Sequence, residues 1–225
     1  MARAGISFNS RIFPLQDQTD HSVFSFVKPI RYKILDAAGE LFRCRGYACV
    51  GVNEIIAVAG VSKAGFYQNF RSKETLCVEW LRETHRRSEA RHAEILASPD
   101  PPCAKVEAYF ASLAGSGADG SFRGCPFSNT AAVADAGADR IHAEIEAHKI
   151  FLREFFTDLV RERAPDGGAE TLGSLLFLLY SGAATEARNL RSDWPIRTAA
   201  SIARRLCETD GASEEARRKK ELLGV

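Results

Sequence analysis

The sequence predicts an all-α protein with an N-terminal three-helix, helix-turn-helix DNA-binding domain and a larger C-terminal helical ligand-binding and dimerisation domain. Three observations predict it. Apolar residues recur at helical spacing along the chain, and no stretch shows the strict alternation of a half-buried strand. Residues 46 to 76, GYACVGVNEIIAVAGVSKAGFYQNFRSKETL, read as two short helices across a tight turn, then an aromatic clasp and the start of a longer helix. Residues 172 to 184, LGSLLFLLYSGAA, read as a helix apolar on every side, which must be covered twice.

Taken in order, residues 1–27 lack a continuous apolar core and a cleavage site, so they read as a flexible arm and not as a secretory signal. Pro29 suits the first turn of a helix whose stripe is Ile34, Leu35, Ala38, Leu41 and Phe42, closed by Gly46. Val52, Ile55, Ile56 and Ala59 give the second helix its apolar face. Gly60 then supplies positive φ, Val61 is a buried hinge, and Ser62 caps a third helix from Lys63. That third helix turns Phe66 and Phe70 inward and leaves Lys63, Gln68 and Asn69 outside, with Tyr67 at the edge. Ser72 caps a long helix running to about residue 97, where Pro99, Pro101 and Pro102 stop it.

Further helices are expected over about 103–115, from Cys125-Pro126 to near Gly137, over about 138–164, 169–191, and from Pro195 to about 208. GSGADGSFRG and APDGGA are loops between them. The DNA-binding domain takes residues 28–75, the effector and dimerisation domain 76–209, and 210–225 form a charged tail. The second cover of the helix at 169–191 is a second copy of the chain, with residues 195–208 completing a four-helix dimer interface.

The segment AGVSKAGFYQNFRSKETL resembles the DNA-binding signature of TetR/AcrR-type regulators. In those proteins a Gly-Val-Ser turn precedes a Lys-led helix, followed by Tyr-x-x-Phe (here Tyr67 to Phe70) and Ser-Lys-Glu (here 72–74). The resemblance implies a dimeric repressor on a pseudo-palindromic operator, with recognition helices about 34 Å apart. It implies DNA contacts from Lys63, Ala64, Gly65, Tyr67, Gln68, Asn69 and Lys73, with Val52 and Asn53. Lys63, Tyr67 and Lys73 suit phosphates, and Gln68 and Asn69 suit base edges. Two positions depart from the pattern: Gly51 stands where a Ser or Thr usually caps, and Gly65 where a hydroxyl often touches DNA.

RGCPFSNTAAVAD (123–135) resembles a Gly-Cys-(Pro or Leu)-x-x-Asn element of one branch of the same family, some members of which respond to electrophiles or oxidants through a cysteine. Cys125 at a helix start beside Arg123 has a physical reason for thiolate character. It suits either a sensor or a small packing residue. The family's small-molecule pocket implies Trp80, Phe110, Phe127, Asn129, Phe151, Phe155 and Tyr180 as further effector residues, each equally suited to plain core. The rival function class is a helical enzyme with Cys125 as nucleophile. It needs a base in reach, and only His142 and His148 lie near in sequence.

Composition is compatible with this reading. The 225 residues carry 45% apolar and 26% charged side chains and a net charge of +1. Residues 28–75 hold eight basic side chains against four acidic ones, a local excess suited to phosphates. No run of eighteen apolar residues exists to span a membrane. The six cysteines form no Cys-x-x-Cys pair and are expected as reduced thiols in a cytoplasmic protein. Cys103 could pair only after oxidation, with a partner the sequence does not name. The five histidines have no tight metal spacing, although His85 and His92 share a face. No metal or other cofactor is expected.

Overall fold

The computed structural model describes residues 28–115, 122–164 and 168–223. The expected arm at 1–27 lies outside these, as do 116–121 and 165–167 within the two expected loops. All regular structure among the described residues is helical. The order is α1 (Ile30–Arg45), α2 (Val52–Ala59), α3 (Lys63–Asn69), α4 (Lys73–Ala97), α5 (Pro102–Gly115), α6 (Pro126–Ala131), α7 (Asp139–Val160), α8 (Gly168–Leu190) and α9 (Trp194–Leu223). No helix among the described residues is long and apolar enough to cross a membrane.

Three helices differ from expectation at their ends. α6 stops at Ala131 and not near Gly137, because VADAGAD offers no apolar stripe and its backbone closes local turns such as Ala138 N–H to Asp135 O, 2.9 Å. α7 ends at Val160, and Arg163 N–H turns back to Val160 O at 2.9 Å. α9 runs through the expected tail to Leu223. Glu, Ala, Arg, Lys and Leu in 213–223 are good helix formers, so the density of charge there does not end the helix.

The cysteines also differ. Cys103 of α5 and Cys207 of α9 form a disulfide, with Cα atoms 5.5 Å apart across 104 residues. Two cysteines expected as reduced thiols are brought together because α5 lies along α9. Sequence separation gave no sign of that pairing.

Packing falls into two apolar clusters. One joins Ile34, Ala38 and Phe42 of α1 to Ile55, Phe66 and Phe70, then to Leu76, Cys77, Val78, Trp80 and Leu81 of α4, and takes in Phe127, Ile141 and Ile145. The other joins Val106, Tyr109 and Phe110 of α5 to the rest of α7, α8 and α9. The first cluster runs across residue 75, so α4, α6 and the start of α7 are continuous with the helix-turn-helix. α7 and α8 approach closely at Gly173. A Cβ there would lie 2.6 Å from Thr157 Cα and collide with its Oγ1. Backbone cannot give way as a flexible side chain can, so Gly173→Ala should destabilise the fold by about 3 kcal/mol. Urea denaturation checks this; an unchanged midpoint would mean that α7 and α8 pack differently.

Candidate nucleic-acid interface and effector cavity

The turn between α2 and α3 is set by local bonding. Gly60 lies at φ 63. Val61 N–H reaches Ile56 O at 3.2 Å, the six-to-one bond that closes a helix on a left-handed residue. Ser62 then starts α3, its Oγ accepting from Gly65 N–H at 3.0 Å. Phe66 and Phe70 are fully buried and hold the inner face of α3. Val61, expected as a buried hinge, is half-buried. At the far end of α3, Arg31 of α1 donates to Asn69 O at 2.9 Å, and its guanidinium lies 4.5 Å from the Phe70 ring centre. A cation on the last carbonyls also suits the helix dipole. Serine, buried rings and arginine together leave one face of α3 in water.

On that face stand Lys63, Ala64, Tyr67 and Gln68, all exposed. Asn53 is exposed beside them and Val52 is half-buried. Three expected contact residues are placed otherwise. Gly65 is buried, and a Cβ on it would come 3.2 Å from Ser62 Oγ, so a larger residue would need the cap to shift by a few tenths of an ångström. Asn69 is half-buried and its Nδ2 donates to Gly65 O at 2.8 Å, leaving its carbonyl oxygen as the group for a base edge. Lys73 is turned inward. Its Nζ donates to Tyr47 O and Val50 O, both at 3.2 Å, over the Tyr47 ring.

Much of the basic excess is spent internally in the same way. Lys28 pairs with Asp36, Arg43 with Glu40 and Arg45 with Glu54. Among the described residues, no ion pair or side-chain hydrogen bond engages Lys33, Lys63 or Arg71, so these are the cations left for phosphate.

The larger domain holds a cavity of about 180 Å³ between α4, α5, α6 and α8. Of the expected effector residues, Cys125, Phe127 and Tyr180 line it. Trp80 does not. It packs edge-on against Phe42, ring centres 5.4 Å apart, in the core behind the helix-turn-helix. Phe110 is buried against Phe156, Phe155 stacks on His92 at 3.9 Å, and Phe151 packs on His85 at 4.9 Å, all behind the wall. Asn129 faces away, its Nδ2 donating to Arg123 O and its Oδ1 accepting from Arg188, each at 2.6 Å.

Sequence reasoning missed the polar wall. Thr84, Ser88 and His92 line the cavity from α4, Tyr109 from α5 and His148 from α7. His92 Nε2 lies 2.9 Å from Tyr109 Oη, and His85 Nδ1 lies 3.0 Å from His148 Nδ1. Phe127 stacks on His148 with ring centres 3.6 Å apart. The seven-residue spacing of His85 and His92 was a usable signal, since two imidazoles on one face can serve a polar cavity as well as a metal. Among the described residues no group of three or more ligating side chains is arranged to hold a metal ion.

Beside the cation Arg91, burial keeps the imidazoles and phenols of this wall uncharged. It lowers His92 to about 4 and His148 to about 3, helped by the neighbouring charges of Arg91 on the first and His85 on the second. It pushes Tyr180 up to about 12 and Tyr109 well above the ordinary phenol. Cys125 caps α6, with Lys149 Nζ 3.7 Å from its sulfur and 2.8 Å from Ser128 Oγ. Cys77, by contrast, is sealed in the core, where burial pushes its thiol up to about 12.

An exposed, capped helix on a turn of this geometry, carried by a helical body with its own cavity, defines a helix-turn-helix regulator. Residues 34–79 match the model of the bacterial regulatory proteins of the tetR family. The chain is 28% identical over 135 residues to the HTH-type transcriptional regulator LmrA of Bacillus subtilis, covering 60% of this chain and 66% of LmrA. It is 30% identical over 86 residues to the HTH-type transcriptional repressor DhaR of a Mycobacterium species, covering 38% and 43%. These matches therefore span about two-thirds of one relative and under half of the other. The crystal structure of the reduced form of Escherichia coli NemR superposes with a TM-score of 0.71 at 21% identity, over 78% of this chain and 95% of that one. The likeness places residues 34–79 among tetR-type DNA-binding regions, and the relatives that the chain matches are transcriptional regulators.

The histidine wall carries a pH dependence. Because both folded values lie below the unfolded one, protonation favours the unfolded chain. Their contribution is complete above about pH 6.5 and is lost as the pH falls from there towards 4 and 3. Each histidine should tilt stability by about 1.4 kcal/mol per pH unit inside that window. Urea midpoints from pH 8 to 4.5 check this, and His148→Phe should flatten the slope by one histidine.

Proposed function

We propose that the chain is a homodimeric repressor that holds a pseudo-palindromic operator through α3. Its release is set by a small molecule or electrophile at the cavity beside Cys125. The observation that carries the DNA half is α3 itself, held from both ends and from beneath, with Lys63, Tyr67 and Gln68 outward. Lys63 is the phosphate contact, since no internal partner competes for it. Gln68 and the free carbonyl of Asn69 read base edges, and Asn53, Val52 and Ala64 fill the contact surface around them. Lys73 orders the turn that DNA meets and does not itself grip phosphate. The likeness to DhaR, a transcriptional repressor, supports the sign of regulation.

The dimer half rests on apolar surface left uncovered in one chain. Leu175 and Leu178 of α8 are 46% and 63% exposed and Ile202 of α9 is 41% exposed. Leu175 and Leu178 stand one turn apart on α8, and with Ile202 they lie on the two helices expected to form the interface. A second copy covering them would also set the two α3 helices one DNA turn apart, about 34 Å.

The effector half rests on the cavity's chemistry. Its wall mixes neutral phenols and imidazoles with the Phe127 ring and a single cation, Arg91, so a small polar molecule suits it. Cys125 gives the same cavity a covalent option. An α,β-unsaturated carbonyl would form a carbon–sulfur bond at Sγ, with the thiol proton ending on the α carbon. Lys149 Nζ lies 3.7 Å from that sulfur and donates to it. Either occupant presses on Thr84, Ser88 and His92, and so on α4. Differential affinity for two settings of α4 then sets the affinity for DNA.

Three measurements test this. Lys63→Ala should weaken operator binding for all sequences alike and flatten the logarithmic salt dependence by about one unit, measured by fluorescence anisotropy. A change of sequence preference with an intact slope would give Lys63 a different role. Leu178→Glu should turn a sedimenting dimer into a folded monomer; a dimer of undiminished affinity would move the interface elsewhere. Quinone treatment should release wild-type protein from DNA and leave Cys125→Ser bound. Equal release of both would remove the covalent arm.

A further inference from the structure

A second cavity, about 560 Å³, opens between the two halves of the molecule. One wall is the end of α1 and the turn after it, Phe42 to Cys49; the other is the end of α8 and its connection to α9, Ala187 to Ile196. Five arginines line it, Arg43, Arg45, Arg123, Arg188 and Arg191, against one carboxylate, Asp193. Their pairing is uneven. Arg43 and Arg45 are held by Glu40 and Glu54, and Asp193 is taken by Arg197. Among the described residues no carboxylate pairs with Arg123, Arg188 or Arg191. The partner of Arg188 is a neutral oxygen, Asn129 Oδ1.

Arg191 adds a second, independent observation. At φ 49 it is the non-glycine residue with positive φ among those described. Ser192 N–H bonds Ala187 O at 3.2 Å, so Arg191 occupies the left-handed position that closes α8, where glycine is usual. Folding gains nothing from a side chain there. A guanidinium kept at a position that favours glycine, on the rim of a cleft with unneutralised positive charge, points to a ligand.

We propose that this cleft binds a small organic polyanion, a phosphate ester or a polycarboxylate, through Arg123, Arg188 and Arg191. Guanidinium forks match both groups in two-pronged geometry, and 560 Å³ falls within the usual range for small-ligand sites, about 300–1,000 Å³. The site is separate from the cavity beside Cys125 and differs from it in chemistry, one being lined by five arginines and the other by neutral rings with a single arginine. Because its walls come from α1 and from the α8–α9 connection, an anion held there braces the helix-turn-helix against the body. It is therefore a second input to DNA binding, independent of the first.

The test is calorimetric titration of the full-length protein with pyrophosphate and with citrate, against chloride at matched ionic strength. Saturable binding of either probe is expected, weakened about tenfold or more by Arg191→Gly and by Arg123→Gln. Arg191→Gly should keep or raise the thermal midpoint, because glycine fits the left-handed position. A loss of binding there is then not a loss of fold. Binding of pyrophosphate alone assigns the site to phosphates, and of citrate alone to carboxylates. No saturable heat above the chloride control, or binding that both variants leave unchanged, would overturn the proposal.

Discussion

Leu76, Cys77, Val78, Trp80 and Leu81 pack in the same cluster as Ile34, Phe42, Ile55 and Phe66, so the first half of α4 cannot move without the helix-turn-helix moving with it. The second half of α4 lies against the other core, where His92 stacks on Phe155. Each large apolar side chain buried in this way contributes about 1.5–3 kcal/mol, so neither attachment is easily broken. A single 25-residue helix anchored at both ends is the constraint from which the rest follows. It fixes the attitude of α3 to the body, and it converts displacement in the body into displacement of α3.

The cavity beside Cys125 lies along that helix. It opens beside the second half of α4 and is roofed by Phe127, which itself belongs to the first cluster. An occupant therefore touches the joint between the two cores and not a remote pocket. The chemistry of the wall follows from the same burial. Imidazoles and phenols this far from water are held neutral, so they select ligands by hydrogen bonding and shape. The basic cleft is the opposite case, open enough for arginines to remain hydrated until an anion displaces the water.

Most of the fold and the recognition helix was legible in the sequence, because both are written in local signals. Gly60, Ser62, Phe66 and Phe70 act over three or four residues, and periodicity reports them directly. The cavity beside Cys125 was legible only in part. Cys125, Phe127 and Tyr180 line it, whereas Trp80 and Phe110 are core, and no spacing distinguishes an aromatic that walls a cavity from one that fills it. The inward turn of Lys73 was hidden for a related reason: its partners are backbone carbonyls 23 and 26 residues away. The Cys103–Cys207 bond spans 104 residues, and only the packing of α5 on α9 brings it together. The ends of α6 and α9 were misjudged in opposite senses, one for want of an apolar stripe and the other because charge is compatible with a helix.

The central claim is that two rigidly carried α3 helices read duplex DNA together. The most direct measurement is selection of bound sequences from a random duplex library by the full-length protein. The account predicts an enriched inverted repeat whose half-sites are centred about one helical turn apart, roughly 10 base pairs. Recovery of a single unrepeated half-site, or no enrichment over the starting library, would contradict it.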